Sequence, residues 1–152
     1  MPQLAENRKA SFDYEIIEKY EAGLVLLGHE VKSIKAGQLS LRGSFISVRS
    51  HSGQPELYLI GCQVSPYKNA GHLPEGSQLR EKKLLLRRSE IAHLVGRKQT
   101  EGLTLIPLKI YTNHSFLKLE FAVARGKKKY DKREAIKKRD IERSLRSLTK
   151  RR

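Results

Sequence analysis

The chain is poor in the residues on which small-protein chemistry is usually built. Its 152 residues include one cysteine, Cys62, one methionine and no tryptophan, and only 7% are aromatic. A lone thiol excludes an internal disulfide and a cysteine-based zinc site, which needs several thiolates at fixed spacing. Cys62 has no base partner nearby in sequence and reads as a buried structural thiol. A reducing, cytoplasmic setting is expected. No apolar run reaches the ~18 residues of a membrane span. The opening MPQLAENRKASF has no apolar core of a secretory signal. None of the five histidines lies three or four residues from another, so no helical metal pair exists. A phosphate-binding loop is missing too: Gly126-Lys127-Lys128 lacks both the earlier glycine and the following hydroxyl. Glu15, Glu18 and Glu21 come nearest to a carboxylate group. Strand alternation puts Glu15 and Glu21 on one face and Glu18 on the other, so they read as solvated. No catalytic constellation, metal or cofactor is expected.

What the chain has is positive charge. Of 31 Lys/Arg and 16 Asp/Glu, residues 125–152 hold 14 and four, so +10 of the formal +15 sits on less than a fifth of the chain. A basic terminal arm is read first as a nucleic-acid arm, because neutralising phosphates releases condensed counterions. No membrane partner is expected, since the arm has no aromatic face or adjacent anchor. The remaining 124 residues suffice for one core, built of Leu, Ile and Val.

Hydrophobic patterning predicts short strands and two short helices. Residues 14–20 alternate; Glu21-Ala22-Gly23 interrupts, and the apolar run 24–27 ends at Gly28. A helix is expected over 30–36, with Gly37 after it. Strands at 45–49 and 56–61 flank a turn cluster. Residues 65–79 form one long loop, and 83–87 a short apolar segment. A second helix starts at Ser89 and ends at Gly96. Residues 103–111 and 116–124 make a hairpin, in which Pro107 requires an edge or a bulge. This is mainly β, and a small closed antiparallel OB-like barrel of about six strands is the economical fold, because closure removes sticky edges. Three segments follow: a flexible N-terminus over 1–11, the barrel over 12–124, and the basic tail over 125–152.

Five blocks carry a resemblance: NRKA at 7–10, YEAGLVLLGHEVKSIKAG at 20–37, REKKLLL at 80–86, GRKQTEGLTLIPLKIY at 96–111 and ARGKKKYDKRE at 124–134. On these the chain resembles the SmpB family of SsrA-binding proteins, partners of transfer-messenger RNA. The resemblance implies an OB-type barrel that binds the tRNA-like domain of that RNA near its elbow and brings it to ribosomes stalled without a stop codon. It implies an RNA-binding face with Asn7, Glu21 and Leu85, and phosphate contacts from Arg8, Lys9, Arg80, Lys82 and Lys83. It further implies a tail that meets small-subunit rRNA beyond the decoding centre, in the empty mRNA channel. The tail residues are Gly126, Lys127, Lys128, Tyr130, Asp131, Lys132, Arg133, Lys137, Lys138 and Arg139. Two departures stand out. Relatives often show R-x-R-K before the leucines where this chain has Arg80-Glu81-Lys82-Lys83, and some carry His at the place of Tyr130.

On a helical wheel Tyr130, Ile141, Leu145 and Leu148 share a side that Glu134, Lys137 and Lys138 interrupt. That is too little apolar surface to offset ordering, so the free tail is expected to be disordered and to fold on rRNA. A monomer is expected. The rival reading is a general basic ribosome-associated RNA-binding protein, which shares the charge but not the selectivity. An RNA-modifying enzyme would need a pocket of acid–base groups or a metal, for which the sequence has no candidates.

Overall fold

In the computed structural model the described residues are 3–68, 71–126 and 129–150. Seven strands form one antiparallel sheet in the order β1-β8-β9-β2-β7-β5-β4. They are β1 (Gln3–Glu6), β2 (Tyr14–Leu24), β4 (Phe45–His51), β5 (Gln54–Ile60), β7 (Lys82–Leu85), β8 (Thr104–Asn113) and β9 (Phe116–Gly126). A two-stranded piece pairs β3 (Leu39–Ser40) with β6 (Gln63–Val64). The helices are α1 (Arg8–Asp13), α2 (Gly28–Lys35), α3 (Arg88–Glu101) and α4 (Lys129–Lys150).

The inner face of the sheet holds the main core. Ile46, Leu57, Leu59, Leu84, Leu119 and Phe121 meet Ile34 of α2 and Leu94 of α3 there. Tyr20 stacks on Phe121 at 5.8 Å between ring centroids. A smaller cluster on the opposite face seats Ala10 of α1 against Ile106, Leu108, Ala122 and Ala124.

The expected closed barrel of about six strands does not form. Among the described residues the main sheet has seven strands, and its end strands β1 and β4 are not bonded to each other. β4 passes within 8 Å of β8, Cα to Cα, without joining its ladder. Both hydrogen-bonding edges of β8 are already occupied, one by β9 and the other by β1. The strand that takes the second edge of β8, at Lys109–Tyr111, is the N-terminal segment, in which the sequence shows no strand pattern.

Two element boundaries also differ from the sequence reading. β2 runs straight through Glu21-Ala22-Gly23, because Ala22 is buried in the core and Gly23 admits the neighbouring strand. α3 passes Gly96 and stops at Gly102, which is left-handed at φ 64° and donates its N–H to the Lys98 carbonyl. The added turn carries Arg97, which pairs with Glu18 of β2 and with Glu101 at 3.4 Å. Pro107 sits at a register shift between β8 and β9, so the alternative of a bulge applies. A second shift, between Ile16 and Glu18 of β2, changes the alternation and moves Glu15 to the face opposite Glu21.

The tail is one helix over Lys129–Lys150. Lys, Arg, Glu, Ala and Leu dominate it, all good helix formers, and Glu142 precedes Arg146 at the favourable i,i+4 spacing. Two of its apolar side chains, Ile141 and Leu145, are 60% and 58% exposed. One contact to the body is the Arg139 guanidinium over the Phe12 ring of α1, at 5.0 Å.

Candidate nucleic-acid interface

Strand alternation sends every second residue of β2, β7, β8 and β9 to the outer face. Register then aligns them. In one row Glu6, Lys109, Glu120 and Glu21 lie side by side across β1, β8, β9 and β2. In the next, Gln3, Tyr111, Lys118 and Gly23 do the same, and Gly23 continues to Leu85 of β7. Glu21 and Glu120 are directly opposite, an unfavourable like-charge pair. Lys109 offsets it, with Nζ 3.4 Å from Glu120 Oε2. A hollow forms here, lined by Gln3, Lys19, Glu21, Lys109, Tyr111 and Glu120. The Tyr111 phenol is pushed far above its ordinary pKa, first by burial and then by its hydrogen bond to Glu21 and the charges of Glu21 and Glu120. It therefore stays a neutral donor at any working pH. Glu21 is exposed, and its remaining lone pairs can accept from an incoming N–H.

Leu85 is 53% exposed and lies over Gly23. A Cβ placed on Gly23 would stand 3.3 Å from the Leu85 Cβ. Gly23→Val is therefore expected to displace Leu85. A fall in RNA affinity of roughly tenfold with a nearly unchanged melting temperature would show that the seat matters; unchanged affinity would exclude it.

The phosphate-contact set divides. Arg8, with its side chain 90% exposed, and Lys9 project from α1. Lys83 is half-exposed and pairs with Glu56 at 3.2 Å. Arg80 and Lys82 turn inward instead. Lys82 is fully buried, its Nζ 2.7 Å from the Arg80 carbonyl and 3.6 Å from Glu30 Oε2. It therefore cannot reach a phosphate. Arg80 grips Glu30 with Nε at 3.2 Å from both oxygens and with Nη2 at 2.5 Å from Oε1. It also donates to the carbonyls of Val25 and Glu81. Most of its five donors are thus committed inside the protein. β7 alternates, so Lys82 and Leu84 point in while Lys83 and Leu85 point out. Sequence reading treated the basic run as one surface.

Glu30 is the residue that reading missed. It is 1% exposed. Burial pushes its carboxyl up, but the Arg80 hydrogen bonds, the Leu27 N–H at 2.8 Å and the Lys82 and Arg80 charges outweigh that and hold it below the usual carboxylate range. An acid inside a predicted helix face, followed fifty residues later by a basic run, is no signal without the fold. Lys19, Lys109 and Tyr111 were missed as well, because the order β8-β9-β2 is not written in any one segment.

Asn7 ends up structural in part. Its Nδ2 donates to the Pro107 carbonyl at 3.0 Å and its backbone N–H to that of Leu108 at 2.7 Å. It lies at the β1 edge, four strand spacings or ~19 Å from Leu85. Asn7→Ala should therefore cost about 0.5–1.5 kcal/mol of stability in a denaturant titration, whatever it does to RNA. In the tail, Gly126 ends β9 opposite Tyr14. Lys127 and Lys128 lie outside the described residues. Tyr130, Asp131 and Lys132 belong to α4, and Arg133, Lys137, Lys138 and Arg139 are exposed on it. Among the described residues no helix is long and apolar enough to cross a membrane.

Comparison with known proteins gives one consistent result. The family model described as "SmpB protein" matches residues 4–151. An SsrA-binding protein of Gloeobacter violaceus is 52% identical over 147 residues, covering 94% of this chain and 93% of that one. The SsrA-binding protein of Acaryochloris marina is 45% identical over 148 residues, covering 97% and 94%. A solved structure described as "tmRNA-SmpB: a journey to the center of the bacterial ribosome" contains a chain 43% identical to this one, with a TM-score of 0.63 over 86% of this chain and 92% of that one.

Proposed function

The chain belongs to the SmpB protein family, and we propose that it is a non-enzymatic adaptor of the cytoplasm. It binds the tRNA-like domain of transfer-messenger RNA and delivers it to stalled ribosomes for trans-translation. The observation that carries this reading is the outer sheet face, where a hollow lined by Lys19, Glu21 and Lys109 adjoins a row that register carries through Lys118 and Gly23 to Leu85, with Lys83 two residues before it on β7. Cations supply affinity for the phosphate backbone. A lone acidic acceptor and an exposed apolar side chain supply discrimination, since RNA loops are read through splayed bases and shape. Glu21 accepts from a base edge, and Leu85 packs on an unstacked base. Arg8 and Lys9 add phosphate contacts at the β1 edge, and Asn7 orients them. Arg80 and Lys82 have no direct part.

The tail acts separately. Residues 125–152 carry the excess charge, and the exposed Ile136 and Ile141 of α4 suit a helix that meets a further surface. It enters the empty mRNA channel beyond the decoding centre, where Tyr130 can stack on an rRNA base whether or not relatives carry His there. The protein acts as a monomer, without membrane or cofactor.

A gel-shift competition at near-physiological salt tests this. Labelled tRNA-like domain is competed with excess generic RNA hairpin, using the full chain. Selective binding is expected, and Glu21→Arg should weaken it about tenfold or more with the circular dichroism unchanged. Binding that the hairpin competes equally would instead support the general basic RNA-binding protein.

A further inference from the structure

A fully buried lysine is rare, and one whose partner is a fully buried glutamate also gripped by an arginine is a built feature. The Glu30 carboxylate receives Arg80, Lys82 and the Leu27 N–H. These three come from β7, from the segment before it, and from the corner after β2. The same corner is tied to β7 twice more: Val25 N–H donates to the Lys83 carbonyl at 3.0 Å, and Arg80 Nη2 donates to the Val25 carbonyl at 3.1 Å. The exposed products of this knot are Val25, at 43%, and Leu85, at 53%, with Lys83 beside them.

We infer that Glu30 is a positioning residue for RNA recognition: by holding Arg80 and Lys82 inward it fixes where Leu85 and Lys83 face outward, and it withdraws two cations from the phosphate field. The inference rests on the function proposed above and deepens it. The second effect is a specificity device. Free cations strengthen binding to any RNA, so each one sequestered lowers non-specific affinity and leaves shape and base contacts to decide. The family resemblance implies Arg80 as a phosphate contact, but its donors brace the surface that makes the contact.

The test must separate positioning from mere stability. Glu30→Met/Lys82→Met replaces the buried pair by side chains of similar volume, a change that commonly leaves a fold as stable or more so. It frees Arg80. Lys82→Met alone keeps Arg80 on Glu30. Three quantities are read: melting temperature, the Leu85 methyl chemical shifts in the free protein, and the affinity ratio between the tRNA-like domain and a generic hairpin. In the double variant the melting temperature should hold, the Leu85 methyls should shift, and the affinity ratio should fall about tenfold, with hairpin binding strengthened. Lys82→Met should keep the wild-type ratio and Leu85 shifts. A double variant with the wild-type ratio, or a lower ratio with unmoved Leu85 methyls, overturns the inference. A wild-type chain with no selectivity overturns the functional reading itself, and the positioning role with it.

Discussion

Truncation before Gly126 should leave selective binding of the tRNA-like domain within about threefold of the full chain at near-physiological salt and abolish tagging on stalled ribosomes. The threefold allowance covers the long-range field of the +9 segment 126–152, which is largely screened beyond a Debye length of ~8 Å. The reason for the split is geometric. The outer face around Glu21 is made by β1, β2, β7, β8 and β9, none of which needs α4. The helix touches the body at α1, with its Ile141 and Leu145 exposed. A reconstituted translation reaction programmed with a message lacking a stop codon gives the readout. Equal loss of RNA binding and tagging would end the division of labour. A tail scrambled at constant charge should fail like the truncated one, since Tyr130 and the Ile and Leu positions must meet particular partners.

Glu30→Ala should be the most destabilising single substitution among those considered, at roughly 3–5 kcal/mol, because it leaves Lys82 and Arg80 as buried or half-buried cations without an anion. In a thermal melt at neutral pH this is a fall on the order of 10 °C. The pH dependence has a definite sign. The Glu30 carboxyl is held low in the folded state, so its contribution is complete above the unfolded-state pKa of about 4.3. It is lost as pH falls through the lower folded value. The gap between wild type and variant should therefore be flat from pH 6 to 8 and narrow only on acidification. A gap that persists unchanged well below pH 4 would mean that lost packing, not lost charge, is the cause.

Much of this was legible in the residues. The hairpin of β8 and β9 follows from the alternation of Leu117, Leu119, Phe121 and Val123, and Pro107 announced its bulge. The motif blocks were enough to place the chain among the SmpB proteins. Other features were legible only in part. A basic run such as Arg80 to Lys83 states its charge but not its direction, because the sense of alternation in β7 depends on which face α2 covers. A glycine such as Gly96 is a helix stop only if the chain beyond has nothing to bond, and Arg97 found Glu18 and Glu101.

The sequence by itself determined the class of partner, through the concentration of charge in residues 125–152, and the mainly β character, through period-two patterning. These are local properties, summed over neighbours in the chain. The tertiary structure alone decided closure, facing and burial. β1 pairs with β8 at Lys109–Tyr111, and the sheet ends at β1 and β4 without joining them. Register across β1, β8, β9, β2 and β7 gathers Glu21, Lys109, Tyr111 and Leu85 into one surface. Glu30 and Lys82 meet in the interior because the fold brings β7 against α2, and each, once buried, needs the other's charge. Each of these results depends on pairs far apart in sequence, and the strand order that brings them together is written in no single segment.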